Sequence, residues 1–281
     1  MNQKIQYAKD EQLPSYEEIV EGFKNFELLN LTGLEYQEIK QKFFESLKLI
    51  PKIISPGGTM DFNLYRTSCI NEIKLDINDI QTFSFPPVQF CNKGRCNLKG
   101  FPVFYTSISS DTALRERRKE NGEKLENGDE VYLSVWKIKK GVTVNYSQFI
   151  FDESIELGNI IKKLNITNAE KLKKKNETYT TNKQLAFEYL LNKLASYFIS
   201  DDYTISSFLA HNILYDGREK APINSDALIY PSLQAGLNSI NIAFHPDFVK
   251  NNIYLEKVEK IKFKNFEKSG SKINLIKTGI P

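Results

Sequence analysis

Four side chains spread along the chain carry charge or a hydroxyl in settings that suit joint chemistry: Arg66, Arg95, Glu116 and Ser232. Tyr65 precedes the first arginine and Tyr105 lies between the second and the glutamate. Neither arginine stands near an acidic run, so both forks are open to a doubly charged group such as a diphosphate. Each charge-assisted bond of that kind contributes about 1.5–3 kcal/mol. The tyrosines offer flat faces on which a planar ring can stack. A fixed carboxylate at Glu116 can grip ribose hydroxyls and stabilise the positive charge that develops on a sugar as a glycosidic bond breaks. Ser232 follows a proline that fixes the backbone, and its hydroxyl can donate to an amide or phosphate oxygen. Plainer readings stand beside these. Glu116 also fits a solvated face shared with Arg117-Arg118-Lys119-Glu120, and Tyr230-Pro231-Ser232 also fits a simple turn after a strand.

The elements that must position these groups centre on Arg95–Glu116. A glycine-flanked turn, Lys93-Gly94-Arg95, leads to a short apolar run, Val103-Phe104-Tyr105. A polar break, Ser109-Ser110-Asp111, then opens a helix, with Ser110 or Asp111 as the expected cap. Glu116 falls in its second turn, on the small face that also carries Thr112 and Ala113. A carboxylate on a close-packed face is costly unless a cation, hydrogen bonds or a ligand meet it.

Upstream, residues 1–12 are polar. Capping boxes at Ser15–Glu18 and Thr32–Glu35 open two amphipathic helices, with stripes Ile19, Phe23, Phe26 and Tyr36, Ile39, Phe43, Leu47, Ile50. Two such helices cannot bury their stripes on each other alone, so they dock on the main domain or on a second chain. Ser55-Pro56-Gly57-Gly58 reads as the boundary, giving a helical extension over 1–54 and a main domain over 59–281. Beyond it come a strand from Phe62 that delivers Arg66, and an aromatic, proline-broken loop wall over Phe83–Phe90. Strands follow at Val131–Trp136 and Val142–Tyr146, then a solvated lysine run at Lys173–Lys175. Helical stripes at Phe187–Phe198 and Ile205–Ile213 precede strands at Ala227–Tyr230 and Ile240–Phe244. Lysine-rich edge strands are expected near Val258–Phe263 and Ile273–Ile276. The order is α+β.

Over about Phe62–Phe248 the ordered motifs resemble the RES domain family, named for an arginine, a glutamate and a serine. The residues that carry the resemblance are Tyr65-Arg66, Gly94-Arg95-Cys96-Asn97, Gly100-Phe101-Pro102-Val103-Phe104-Tyr105 and Ala113-Leu114-Arg115-Glu116, then Tyr230-Pro231-Ser232, Gly236 and Asn241-Ile242-Ala243-Phe244. Cys96 departs from the large aromatic usual in the family. The resemblance implies a mixed-strand core similar to ADP-ribosyltransferases. It implies an NAD⁺ glycohydrolase or phosphorylase that cleaves the nicotinamide–ribose bond, acting as a cytoplasmic toxin that depletes NAD⁺ and is paired with an antitoxin protein. Glu116, Arg66 and Ser232 would be catalytic, and Arg95, Tyr65 and Tyr105 would bind substrate. Asn97 and Asn241 match the pattern but read as residues that satisfy backbone groups. No Gly-x-Gly-x-x-Gly follows a strand, so NAD⁺ would be substrate and not a redox cofactor. Transfer of ADP-ribose to a macromolecule is the first rival. A catalytically silent NAD- or partner-binding protein is the second, and Cys96 favours it.

Composition narrows the class. The 281 residues are 41% hydrophobic and 26% charged, ordinary for a globular chain, and the net charge of +3 is too small to argue for nucleic acid. The three cysteines, Cys69, Cys91 and Cys96, are odd in number and suit a reducing compartment. No second Cys or His pair completes a metal site with Cys91 and Cys96. The first residues have no apolar stretch of the kind a signal peptide needs, and no segment reaches the length of a membrane span. Self-association through the N-terminal helices stays open. His211 reads as a structural histidine, and a Ser–His–Asp arrangement would need His211 or His245 beside Ser232.

Overall fold

Two strands without a polar face set the architecture. All five residues of β6 (Ala227–Pro231) and of β7 (Ile240–Phe244) are buried, so both sides of this part of the sheet must be covered. The computed structural model describes residues 13–51, 54–69, 78–117, 128–150, 180–216, 218, 224–262 and 276–278. Within them, β6 and β7 lie inside a nine-stranded sheet with β1 (Ser55–Thr59), β2 (Leu64–Cys69), β3 (Phe104–Ser107), β4 (Glu130–Ile138), β5 (Thr143–Gln148), β8 (Ile253–Lys262) and β9 (Ile276–Thr278). The order is β1-β5-β6-β7-β3-β2-β4-β8-β9. Only β5 and β6 run parallel; the helices α4 (Thr181–Tyr197) and α5 (Tyr203–Leu214) lie between them in the chain, as a parallel crossover requires. The fold is mixed α+β.

Strand alternation divides the core into two layers. Leu228, Tyr230 and Ala243 face a helical layer made by α1 (Tyr16–Glu27), α2 (Tyr36–Leu47), α4 and α5. Ala227, Ile229, Ile240, Ile242 and Phe244 face the other way. They pack with Leu64, Phe83, Phe104 and Trp136, and with Phe248 of α6 (Pro246–Asn252). The N-terminal helices therefore belong to the core of the sheet-bearing domain. Phe43 joins the parts: its ring lies 4.9 Å from Phe26 and 5.4 Å from Phe208. Tyr36 and Lys40 of α2 also both bind Asp216, just beyond α5.

Several local details differ from the sequence expectation. The first capping box forms at Ser15 and Glu18, but α2 is capped at Glu35 with Glu38 and not at Thr32. Ser55–Gly58 is no linker: it lies in β1, paired with β5. A Cβ at Gly57 would fall 1.7 Å from the Val144 carbonyl oxygen, so only glycine allows this close pairing. The strand near Val258 is interior, between β4 and β9, and β9 forms the edge. Arg66 lies within β2, not at its end. The lysine run 173–175 and residues 273–275 are outside the described residues. No helix among the described residues is long and apolar enough to cross a membrane.

One junction in the sheet is weak. β2 pairs with β4 at six positions and β3 with β7 at four, but β2 and β3 meet only at Tyr65 and Ser107. The sheet is thus two halves joined at a narrow seam.

Two predictions follow from the packing. Phe43→Ala should cost about 3–5 kcal/mol in chemical denaturation, and a loss below about 1 kcal/mol would show the N-terminal helices to be peripheral. Burial holds His211 and His245 down at about pKa 4, from 6.5. The native state stays neutral there while the unfolded chain binds protons, so stability falls as pH drops from 6.5 toward 4. His211→Phe should flatten that slope in pH-dependent melting; an unchanged slope would contradict the assignment.

Candidate active site

The seam opens into a cavity of about 540 Å³. β2 supplies Tyr65 and Arg66 to its wall, β3 supplies Tyr105 and Ser107, and the loop before β3 supplies Arg95 and Asn97. The helix α3 (Ser110–Glu116), which follows β3 directly, supplies Ala113 and Glu116. Its cap is Ser109, which accepts the Thr112 N–H; neither Ser110 nor Asp111 does this. The Thr112 hydroxyl donates to Ser239 at 2.7 Å in the interior, pinning the helix to the β6–β7 connection. The small face of α3 lets it lie close to its neighbours, and it packs on β2 and β3.

Glu116 is the last residue of α3 and is half-buried. Two neutral donors grip one of its oxygens. The Ser232 hydroxyl donates to Oε1 at 2.5 Å and the Asn241 side-chain amide donates to the same atom at 2.8 Å. Asn241 is itself fixed by the Ser107 hydroxyl, which donates to its Oδ1 at 2.6 Å. Among the described residues Oε2 accepts no hydrogen bond and Glu116 forms no ion pair. The carboxylate is therefore oriented without being neutralised.

Ser232 meets Glu116 but does not line the cavity; it is fully buried behind the wall. It also accepts the Ala235 N–H at 3.1 Å, so the turn reading and the site reading hold at once. The expectation that its hydroxyl faces a substrate is replaced by a positioning role on Glu116. Neither histidine bonds to Ser232: the Nδ1 of His245 caps α6, and His211 stacks on Tyr215. Asn241 does more than the sequence suggested. The signal was available, because an amide inside the apolar run Ile240–Phe244 must find partners when buried.

The two arginines differ. Arg66 donates from Nη1 to the Tyr105 carbonyl at 3.2 Å, across the seam, and its carbon lies 5.7 Å over the Phe104 ring. Its Nε is buried with no hydrogen-bond partner. Burial, then the nearby Arg117 charge, push its pKa down to about 10, so it remains a cation at neutral pH. Arg95 lines the cavity, but its Nη1 is taken by the carbonyls of Phe198 and Ser200, at 2.7 and 2.6 Å. It serves the carbonyl end of α4, where a cation is favoured, and it sits 4.8 Å over the Tyr203 ring.

Tyr105 also has a structural task. Its hydroxyl donates to Asn97 Oδ1 and accepts the Cys96 N–H, both at 2.7 Å. The Asn97 amide in turn donates to the carbonyls of Asn92 and Leu98, which matches its expected role with backbone groups. Gly94 makes room for this knot, since a Cβ there would lie 2.7 Å from Asn97 Oδ1. Burial raises the Tyr105 and Tyr230 hydroxyls well above their usual pKa, so both are neutral. Cys96 is buried beneath the wall and does not line the cavity. Tyr65 is half-buried on the wall, packed against the cluster of Ala113, Leu114 and Leu133, and its hydroxyl accepts from the Asn63 amide at 3.4 Å. Sequence reasoning missed Arg117, Tyr230, Tyr203 and Gln234, all of which line the cavity. By sequence Arg117 reads as part of a solvated face; the structure puts it on the cavity wall.

Among the described residues no group of three His, Cys, Asp or Glu could hold a metal ion. Comparison of the chain with protein-family models, curated proteins and solved structures finds no match.

Because Ser232 and Asn241 share one acceptor atom, their losses should not add. A double-mutant cycle with Ser232→Ala and Asn241→Ala, read by chemical denaturation, should show coupling of about 0.5–3 kcal/mol. Strict additivity would mean that the two donors do not act on a common Glu116.

Proposed function

We propose that the cavity binds NAD⁺ and that the protein cleaves its nicotinamide–ribose bond, with water or phosphate as acceptor. The observation that carries this reading is the state of Glu116: a carboxylate on the cavity wall, fixed through Oε1 and unpaired at Oε2. Such a group can stabilise an oxocarbenium-like ribose or grip its hydroxyls, and it needs no activated nucleophile to do so. Tyr65 offers a ring face for a planar base, and Arg66 offers an under-compensated cation for the diphosphate.

The same reading places the chain with the RES domain and its ADP-ribosyltransferase-like core. In support, the motif residues Arg66, Arg95, Glu116, Tyr105 and Asn241 line one cavity, with Ser232 directly behind it. In the cell such an enzyme would deplete NAD⁺ as a toxin in the cytoplasm, restrained by an antitoxin protein. The departure at Cys96 weighs little for a silent protein, because that side chain packs in the core and leaves the wall unchanged.

The test is an NMR time course of NAD⁺ with the pure protein, with and without phosphate. Wild type should release nicotinamide, and Glu116→Ala should slow release by about 100-fold or more while keeping its circular dichroism. Labelled NAD⁺ distinguishes free ADP-ribose from label on a macromolecule, which would mean transfer. NAD⁺ loss at the wild-type rate in folded Glu116→Ala would remove the proposed site.

A further inference from the structure

The cavity has a second aromatic wall, which the proposed function leaves unused. Tyr203, the first residue of α5, lines it. The helix α5 packs on β6, across the seam from β2 and Tyr65. The Arg95 guanidinium lies 4.8 Å over one face of the Tyr203 ring. The carbonyls of Phe198 and Ser200 hold its Nη1, so this cation is fixed in place. Lys93, two residues earlier, donates to the Thr204 hydroxyl at 3.0 Å. The 93–95 turn and the start of α5 are thus fastened into one surface, set before any ligand arrives. Tyr203 keeps 38% of its area exposed. Among the described residues its ring pairs with no other aromatic side chain, and Arg95 forms no ion pair. The surface is therefore flat, partly open and cationic.

An aromatic ring backed by a guanidinium suits a neutral, electron-rich ring and disfavours a cationic one. NAD⁺ carries one of each: adenine is neutral, and the nicotinamide ring is a pyridinium cation. The carboxylate of Glu116 stands on α3, which packs on β2, and it keeps its charge because neutral donors hold it. Opposite charges on the two walls therefore set the direction of the dinucleotide. We infer that Tyr203, backed by Arg95, is the platform for the adenine base, with nicotinamide directed toward Glu116. The inference rests on the proposed function for the identity of the ligand and deepens it. Arg95 acts through Tyr203 as a positioning residue, and its fork is turned to a helix end and not to phosphate oxygens.

AMP is the probe, titrated by calorimetry at fixed ionic strength. Ribose 5-phosphate, which has no base, and nicotinamide mononucleotide, which has the cationic one, are the controls. Wild type should bind AMP more tightly than ribose 5-phosphate. Tyr203→Ala should weaken AMP by about tenfold, and Tyr203→Phe, which keeps the ring and is the milder change for folding, by less than about threefold. Affinity for nicotinamide mononucleotide should change by less than about threefold in both variants. AMP bound no more tightly than ribose 5-phosphate by wild type, or AMP affinity within about threefold of wild type in folded Tyr203→Ala, overturns the platform. An equal loss for nicotinamide mononucleotide overturns the direction. These outcomes are separate from nicotinamide release. Cleavage of NAD⁺ at the wild-type kcat/KM in Tyr203→Ala overturns the platform and leaves the enzyme reading standing. A Tyr203-dependent AMP site without NAD⁺ cleavage keeps the platform and sinks the enzyme reading.

Discussion

The single contact between β2 and β3 is the constraint on which the rest depends. A continuous ladder there would close the sheet and leave no cleft. Because only Tyr65 and Ser107 pair, the two half-sheets present open backbone groups and side chains to a common space. Something must satisfy those groups, and the Arg66 guanidinium does so in part by reaching the Tyr105 carbonyl. A cation is thereby fixed at the seam by the same shortage of backbone partners that makes the cavity. The helix α3 follows directly from β3 and packs against β2, which brings Glu116 to the wall.

Support for the seam comes from both sides. The fully buried β6 and β7 anchor β3 through β7, and the helical layer covers their other face. On the opposite half, β4 holds β2 along its whole length, and the Trp136 indole donates to Ser134, whose hydroxyl donates to the Arg66 carbonyl. Each half-sheet is stiff in itself. The cavity walls are therefore set by well-buried strands and not by loops alone, which favours a preformed site.

The sequence made the elements legible where a period was strong. The stripes of α1, α2, α4 and α5 and the apolar runs of β6 and β7 appear where their spacing puts them, except that α2 stops at Leu47 on a left-handed Lys48 and leaves Ile50 beyond the helix. It was less reliable at junctions. Ser55–Gly58 looks like a linker by composition, yet the glycines serve a close strand pairing. Ser109 wins the cap of α3 over two equally suitable neighbours, a choice that depends on where the strand ends. Residue type alone could not show that the fork of Arg95 faces carbonyls over a hundred positions away. Nor could it show that Arg117 lines the cavity. Tertiary partners decide both.

The charge arrangement bears on the chemistry more than the residue list does. Two unit charges 4 Å apart interact by about 4 kcal/mol at an effective dielectric near 20. On the proposed reading, an arginine paired with Glu116 would offset part of the carboxylate's effect on a developing ribosyl cation. Ser232 and Asn241 avoid the loss, since neutral donors orient the group and leave its charge intact. On the same reading, Arg66 elsewhere on the wall can hold an anion without quenching the carboxylate. On the proposed reading, negative and positive functions share one cavity because dipoles, and not ions, hold the negative one in place.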